Sequence, residues 1–185
     1  MEKAWAAELD RLRPYLLEKF HEWIHEQRNF HLPKARLLSS EEKSRLAGYF
    51  ENRLLDVVRV VSVDRIQNPK FYGALKKSGV PIPLDFSTAV GLTLIDCILI
   101  RKELQPGTTA FISTLFHEMV HVVQFDILGI KGHIELYADS LREGDYQYHS
   151  VILERQAYGL TNRFDRGEPP FLVSAVIRQE LGRGQ

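Results

Sequence analysis

Apolar residues recur along this chain with changing periods, and the changes mark its elements. Over residues 2–31, Leu9, Leu12, Leu16, Phe20, Trp23 and Phe30 return at 3.6-residue spacing on one face. That spacing predicts a helix, either single or as two helices meeting at Pro14. Ser39, with Glu42 three residues later, has the pattern of a capping box, and the apolar spacing predicts a second helix to about Leu55. From Val57 to Ile66 the residues turn β-branched and stop at Asn68-Pro69, the pattern of a strand and a turn. Lys70 to Leu84 is punctuated by Gly and Pro and reads as a connection. Gly91 to Arg101 is nearly unbroken in apolar character, which predicts a second strand covered on both faces.

Gln105-Pro106-Gly107 turns the chain, and Thr108 or Thr109 is placed to cap a long apolar helix running to Leu128. Gly129 stands where such a helix stops. Residues 130–149 are mixed and tyrosine-rich. A further helix is predicted from about Ser150, carrying Glu154. Asp165 to Pro170 breaks it, and a short terminal helix comes after. The order of elements predicts an α+β fold, with a small mixed sheet packed on one long helix and helices added before it.

Composition narrows the class. A chain of 185 residues that is 44% hydrophobic has enough apolar material for one cored domain. Its expected parts are an N-terminal helical segment (1–56), a core (57–164) and a tail helix (165–185). Lysine plus arginine equals aspartate plus glutamate, 24 each, so no charge imbalance points to nucleic acid or an anionic membrane as partner. The lone Cys97 excludes an internal disulfide, and its place in the run Leu94–Ile100 reads as a buried, inert thiol. No apolar leader or membrane-length stretch is visible, so the expected location is cytoplasmic.

The chemistry lies in a signature present twice: His21-Glu22-Trp23-Ile24-His25 and His117-Glu118-Met119-Val120-His121. In H-E-x-x-H, two imidazoles one helical turn apart can hold a metal, and the glutamate between them can act on a metal-activated water. The first copy has a third histidine, His31, at the spacing of a three-histidine site, but Arg28 occupies the position where that pattern needs glycine to turn the chain. Its histidines also lie off the apolar face, beside Asp10, Glu18 and Arg28, where solvated side chains are expected. The second copy sits in a helix apolar nearly all round, with His117, His121 and Gln124 as a narrow polar strip. Such a helix is buried, and unpaired imidazoles inside it are costly. A metal would satisfy both.

A third ligand is required. The downstream carboxylates are Asp126, Glu135, Asp139, Glu143, Asp145, Glu154 and Asp165. Glu154 is favoured, because it lies on a predicted helix with the small Ala157 one turn on, which permits close packing against the metal helix. Glu143 is the next choice, and His133 or His149 would offer nitrogen instead.

At this point FHEMVHVVQF with LERQAYGL resembles the gluzincin zinc metallopeptidases, in particular small zincin-like domains with an H-E-x-x-H-x-x-Q helix and a later Glu-x-x-Ala-Tyr. The resemblance spans roughly residues 90–164. It implies a zincin-like fold, Zn²⁺ held by His117, His121 and Glu154, Glu118 as general base, and a peptide or protein substrate. Gln124 falls on the family's glutamine, where helix packing or a supporting hydrogen bond is expected. Tyr146, Tyr148, His149 and Tyr158 are the candidates for a donor to the developing oxyanion. The strand ahead of the metal helix would pair with extended substrate in such folds. An inactive zincin-like scaffold and a hydrolase of non-peptide amides or esters are the alternatives.

Overall fold

In the computed structural model, residues 4–182 are described apart from Pro81 and Pro83. Helix α1 (Ala4–His31) is continuous through Pro14. Pro14 is exposed, so water can satisfy the carbonyl one turn back that a proline leaves without its partner. Phe30, expected on the apolar face, is 59% exposed, with the Lys34 ammonium 3.7 Å from its ring centre.

The single helix expected from Ser39 to Leu55 is two, α2 (Ser40–Leu46) and α3 (Asn52–Val57). The capping box forms: the Ser39 hydroxyl accepts from the Glu42 N–H at 3.2 Å, and the Glu42 carboxylate accepts from the Ser39 N–H at 2.7 Å. The break falls at Gly48. Its φ is 83°, and an added Cβ would lie 2.9 Å from the Pro170 side chain.

Four strands form one sheet: β1 (Arg36–Leu37), β2 (Arg59–Val63), β3 (Gly91–Leu94) and β4 (Cys97–Arg101), in the order β1-β2-β4-β3. β2 and β4 run parallel, and the outer pairs are antiparallel. The apolar run Gly91–Arg101 is therefore a hairpin, correcting the single strand expected there. It turns at Ile95-Asp96, with Ile95 at φ 68°, a costly conformation for a β-branched residue. Arg28 of α1 holds that turn with two bonds to the Asp96 carboxylate at 2.5 and 2.7 Å. Coverage on both faces holds, since Ile98 and Ile100 enter one core cluster and Cys97 and Leu99 another. Burial pushes the Cys97 thiol pKa up to about 11, as expected of an inert thiol.

The 70–84 connection contains a short helix, α4 (Tyr72–Lys77). Helix α5 begins at Thr109, capped by the Thr108 hydroxyl, which accepts from the Phe111 N–H at 3.2 Å. It does not end at Gly129. There φ 68° and ψ 168° break the axis, and the chain re-enters helix up to Glu143. Two helices complete the chain, α6 (Ile152–Asp165) and α7 (Val173–Glu180). α7 is bound into the main cluster through the fully buried Val173 and Ile177. The result is an α+β molecule with a small mixed sheet, α1 on one face, and α5 with α2, α3, α6 and α7 towards the other. Among the described residues no helix is long and apolar enough to cross a membrane.

Candidate metal centre

The first half of α5 places His117, Glu118, His121 and Gln124 along one stretch, and α6 packs beside it. Ala157 is fully buried at that contact, so Glu154, one turn earlier, comes up against the histidines. His117 Nε2 and His121 Nε2 are 3.2 Å apart, and Glu154 Oε2 lies 3.5 and 3.6 Å from them. A tetrahedral ion with bonds of about 2.0–2.1 Å separates its ligands by about 3.3–3.4 Å. Three donor atoms at those separations can hold a metal ion. No other group of three or more His, Cys, Asp or Glu donors comes together in this way among the described residues.

The surrounding hydrogen bonds prepare this set. Gln124 is fully buried. Its amide nitrogen donates to the Leu153 carbonyl at 2.9 Å and to Gln156 Oε1 at 3.1 Å, so its oxygen is turned to His121 Nδ1 at 2.7 Å. That oxygen can only accept, so Nδ1 carries a proton, and Nε2 is the nitrogen turned to the cluster, where a metal would take the place of its proton. One side chain thus orients a ligand on α5 and grips the residue before the ligand on α6. Glu154 in turn accepts from Tyr148 at 2.6 Å on Oε2 and from Tyr137 at 3.1 Å on Oε1.

Glu118 is buried but is not one of the three. Thr93 on β3 donates to its Oε2 at 2.7 Å. Gly91 on the same strand makes room for it, because a Cβ there would lie 2.4 Å from Glu118 Oε1. Burial pushes the Glu118 carboxyl pKa up, against the opposing pull of His117, His121 and Thr93. Burial alone would discharge His121, but Glu154 beside it outweighs this and lifts its pKa to about 9. Burial acts to raise Glu154 as well; His121, His117 and Tyr148 outweigh it and hold the carboxyl well below the usual range.

Sequence candidates outside this set fall elsewhere. Glu143 is exposed at the end of α5, and His149 is exposed before α6. His133 is buried and stacked on Phe125, its ring centre 6.4 Å from that of His121, and it is not a third ligand. Of the oxyanion candidates, Tyr148 and Tyr158 line the cleft and Tyr146 and His149 do not. The Tyr158 ring lies 4.6 Å from that of His117. In the N-terminal copy, His21 is exposed and His25 partly so; their rings are 4.7 Å apart, and among the described residues no third donor joins them. Tyr137, Thr93 and Gly91 were not anticipated from sequence. Tyr137 had a signal, since Ile130, His133, Ile134, Tyr137 and Leu141 repeat at helical spacing. Thr93 and Gly91 had none, because their meeting with Glu118 is a matter of how a strand lies on a helix.

Comparison with protein-family models, with curated proteins and with solved structures finds no match to this chain. The geometry alone therefore carries the reading: an α+β protein with a His₂Glu group able to hold a metal, beside a buried carboxylate that is not part of it.

Proposed function

We propose that this chain is a zinc-dependent hydrolase of the gluzincin kind, acting on peptide bonds. The observation that carries the reading is Glu118. A site that only bound metal for structure would have no use for a second, non-ligating carboxylate, buried and held in place by Thr93 and Gly91 next to the ligands. Two nitrogens and one carboxylate oxygen suit zinc and leave one position open, as catalytic zinc sites do. Zinc held by His117, His121 and Glu154 would acidify a water molecule and polarise the scissile carbonyl.

The protein's own groups divide the remaining work. Glu118, with its raised pKa, is suited to take the water's proton and pass it to the leaving amine. Tyr148 already gives its one hydroxyl proton to Glu154, so among the tyrosines lining the cleft the oxyanion falls to Tyr158. β3 is an edge strand, with β4 on one side only, so its free edge can pair with an extended chain along the cleft.

Metal analysis of purified protein should find about one zinc per chain. Glu118→Gln should keep the zinc and lose peptide cleavage, whereas His117→Ala with His121→Ala should lose both. Zinc undiminished in the double histidine variant would end this assignment. Chelator should abolish cleavage of a peptide library, and cleavage confined to ester or amide small molecules would move the substrate class away from peptides.

A further inference from the structure

The cleft that holds the triad is chemically two-sided. α5 runs along it, and the residues one turn before and one turn after the ligands differ in kind. Before them lie Ser113 and Thr114, joined from α6 by Asn162 and Asp165, with Ser113 donating to Asp165 at 2.8 Å. After them comes Phe125 and, past the kink, Ile134; Phe20 and Trp23 of α1 and Phe86 from the loop before β3 line the same space. At the helical rise, about 6 Å separates Ser113 from His117, and about 6 Å separates His121 from Phe125. The triad stands at the boundary between a polar and an apolar half of one continuous cleft of about 750 Å³.

The apolar half is already built. The Trp23 and Phe86 rings lie 5.0 Å apart, and Phe20 meets each of them at 6.3 Å with steeply inclined planes. These are the spacings at which aromatic rings attract one another. His133 lies flat on Phe125 at 3.8 Å, and its Nε2 bonds to nothing. Burial, with His121 nearby, lowers its pKa to about 3, so it presents a neutral ring. A charged group entering this half would give up water and meet no counter-ion on Phe20, Trp23, Phe86 or Phe125; Asp85, beside Phe86, has its carboxylate taken up by Asn68 and Ser87. A large apolar group would find rings in contact geometry.

We infer that α1 is part of the substrate site: with Phe86 and Phe125 it makes a socket for one bulky apolar side chain, aromatic by preference, next to the reacting bond. Residues on the other side of that bond meet the polar half. Which bond reacts rests on the hydrolase reading above; the socket itself does not.

Two measurements test this separately. Cleavage of a randomised peptide library, read by mass spectrometry, should show Phe, Tyr, Trp or Leu enriched about tenfold or more over Ala or Lys on one side of the cleaved bond only. Phe20→Ala, at a partly exposed position, should relax that preference without changing zinc content. Independently of turnover, titration with N-acetylphenylalaninamide should shift the Trp23 ring signals in the magnetic resonance spectrum. N-acetylalaninamide should not shift them. Probe binding at Trp23 without any cleavage would remove the hydrolase reading and leave the socket standing. Cleavage with no side-chain preference, a preference that Phe20→Ala leaves unmoved, or no shift at Trp23 with either probe would each overturn the socket.

Discussion

Gln124 shows how much of the centre depends on one amide. Its three hydrogen bonds fix the His121 tautomer and bind α5 to the residue before Glu154. Gln124→Leu is expected to weaken zinc binding about 10- to 100-fold, the usual cost of losing a partner behind a metal ligand, as read by competition with a chelating dye. Gly91→Ala tests the other side. The added methyl would collide with Glu118, so cleavage should fall steeply while zinc affinity stays near wild type. The pH dependence comes from the two shifted ligands in the metal-free protein. His121 is raised from 6.5 to about 9, so its stabilisation is complete below pH 6.5 and is lost as pH rises through 9. Glu154 is depressed from 4.5, so its contribution is complete above pH 4.5 and is lost as pH falls through its lowered value. The metal-free protein should therefore lose melting temperature as pH rises from 6.5 towards 9, and again as it falls below 4.5. Zinc affinity should climb towards pH 9, because the metal displaces the His121 proton.

At the scale of elements, the backbone at Gly129 is the clearest point of tension. Its φ and ψ lie in a region open essentially to glycine, and a Cβ there would touch nothing within 4 Å. Gly129→Ala should cost about 1–3 kcal/mol through backbone strain alone, measurable by urea denaturation. The second half of α5 carries Tyr137 to Glu154, so the same variant should also weaken zinc binding. This element marks how far the sequence could be read. The buried helix, a cap at Thr108 or Thr109 and the choice of Glu154 over Glu143 were legible, because periodicity, capping chemistry and a small residue at a helix contact are local signals. Gly129, read as the helix's stop, is a kink inside it. Whether the chain leaves or re-enters the helix beyond a break is decided by tertiary packing, which also hid the turn at Ile95-Asp96. Asp96 is a turn former, but β-branched Ile95 before it argues against a turn, and the apolar run on either side masks the break.

At the scale of the molecule, α1 is tied to distant parts of the chain. Arg28 grips the hairpin turn at Asp96, Arg13 pairs with Asp139 at 2.6 Å, and Asp10 pairs with Arg142 at 2.8 Å. Its apolar face also completes two core clusters, through Trp23 and Ile24 in one and Leu9 in the other. Removing residues 1–31 should therefore give a protein that binds hydrophobic dyes and lacks fixed near-ultraviolet dichroism. A trimmed enzyme with an open cleft would contradict this. Sequence periodicity disclosed that α1 had a face to bury. It held no sign of what that face would meet, since those contacts join residues far apart in the chain.

The separation has a consequence during synthesis. The triad and Glu118 draw only on residues 91–158. α1 is translated before them, and Phe71, Tyr72 and Phe86, whose rings meet Phe20 and Trp23, come about 50–65 residues later. At ribosomal speeds of about 5–20 residues per second, its aromatic face waits roughly 3–13 s for those neighbours. Through that interval Phe20 and Trp23 are open to chaperones and to other nascent chains.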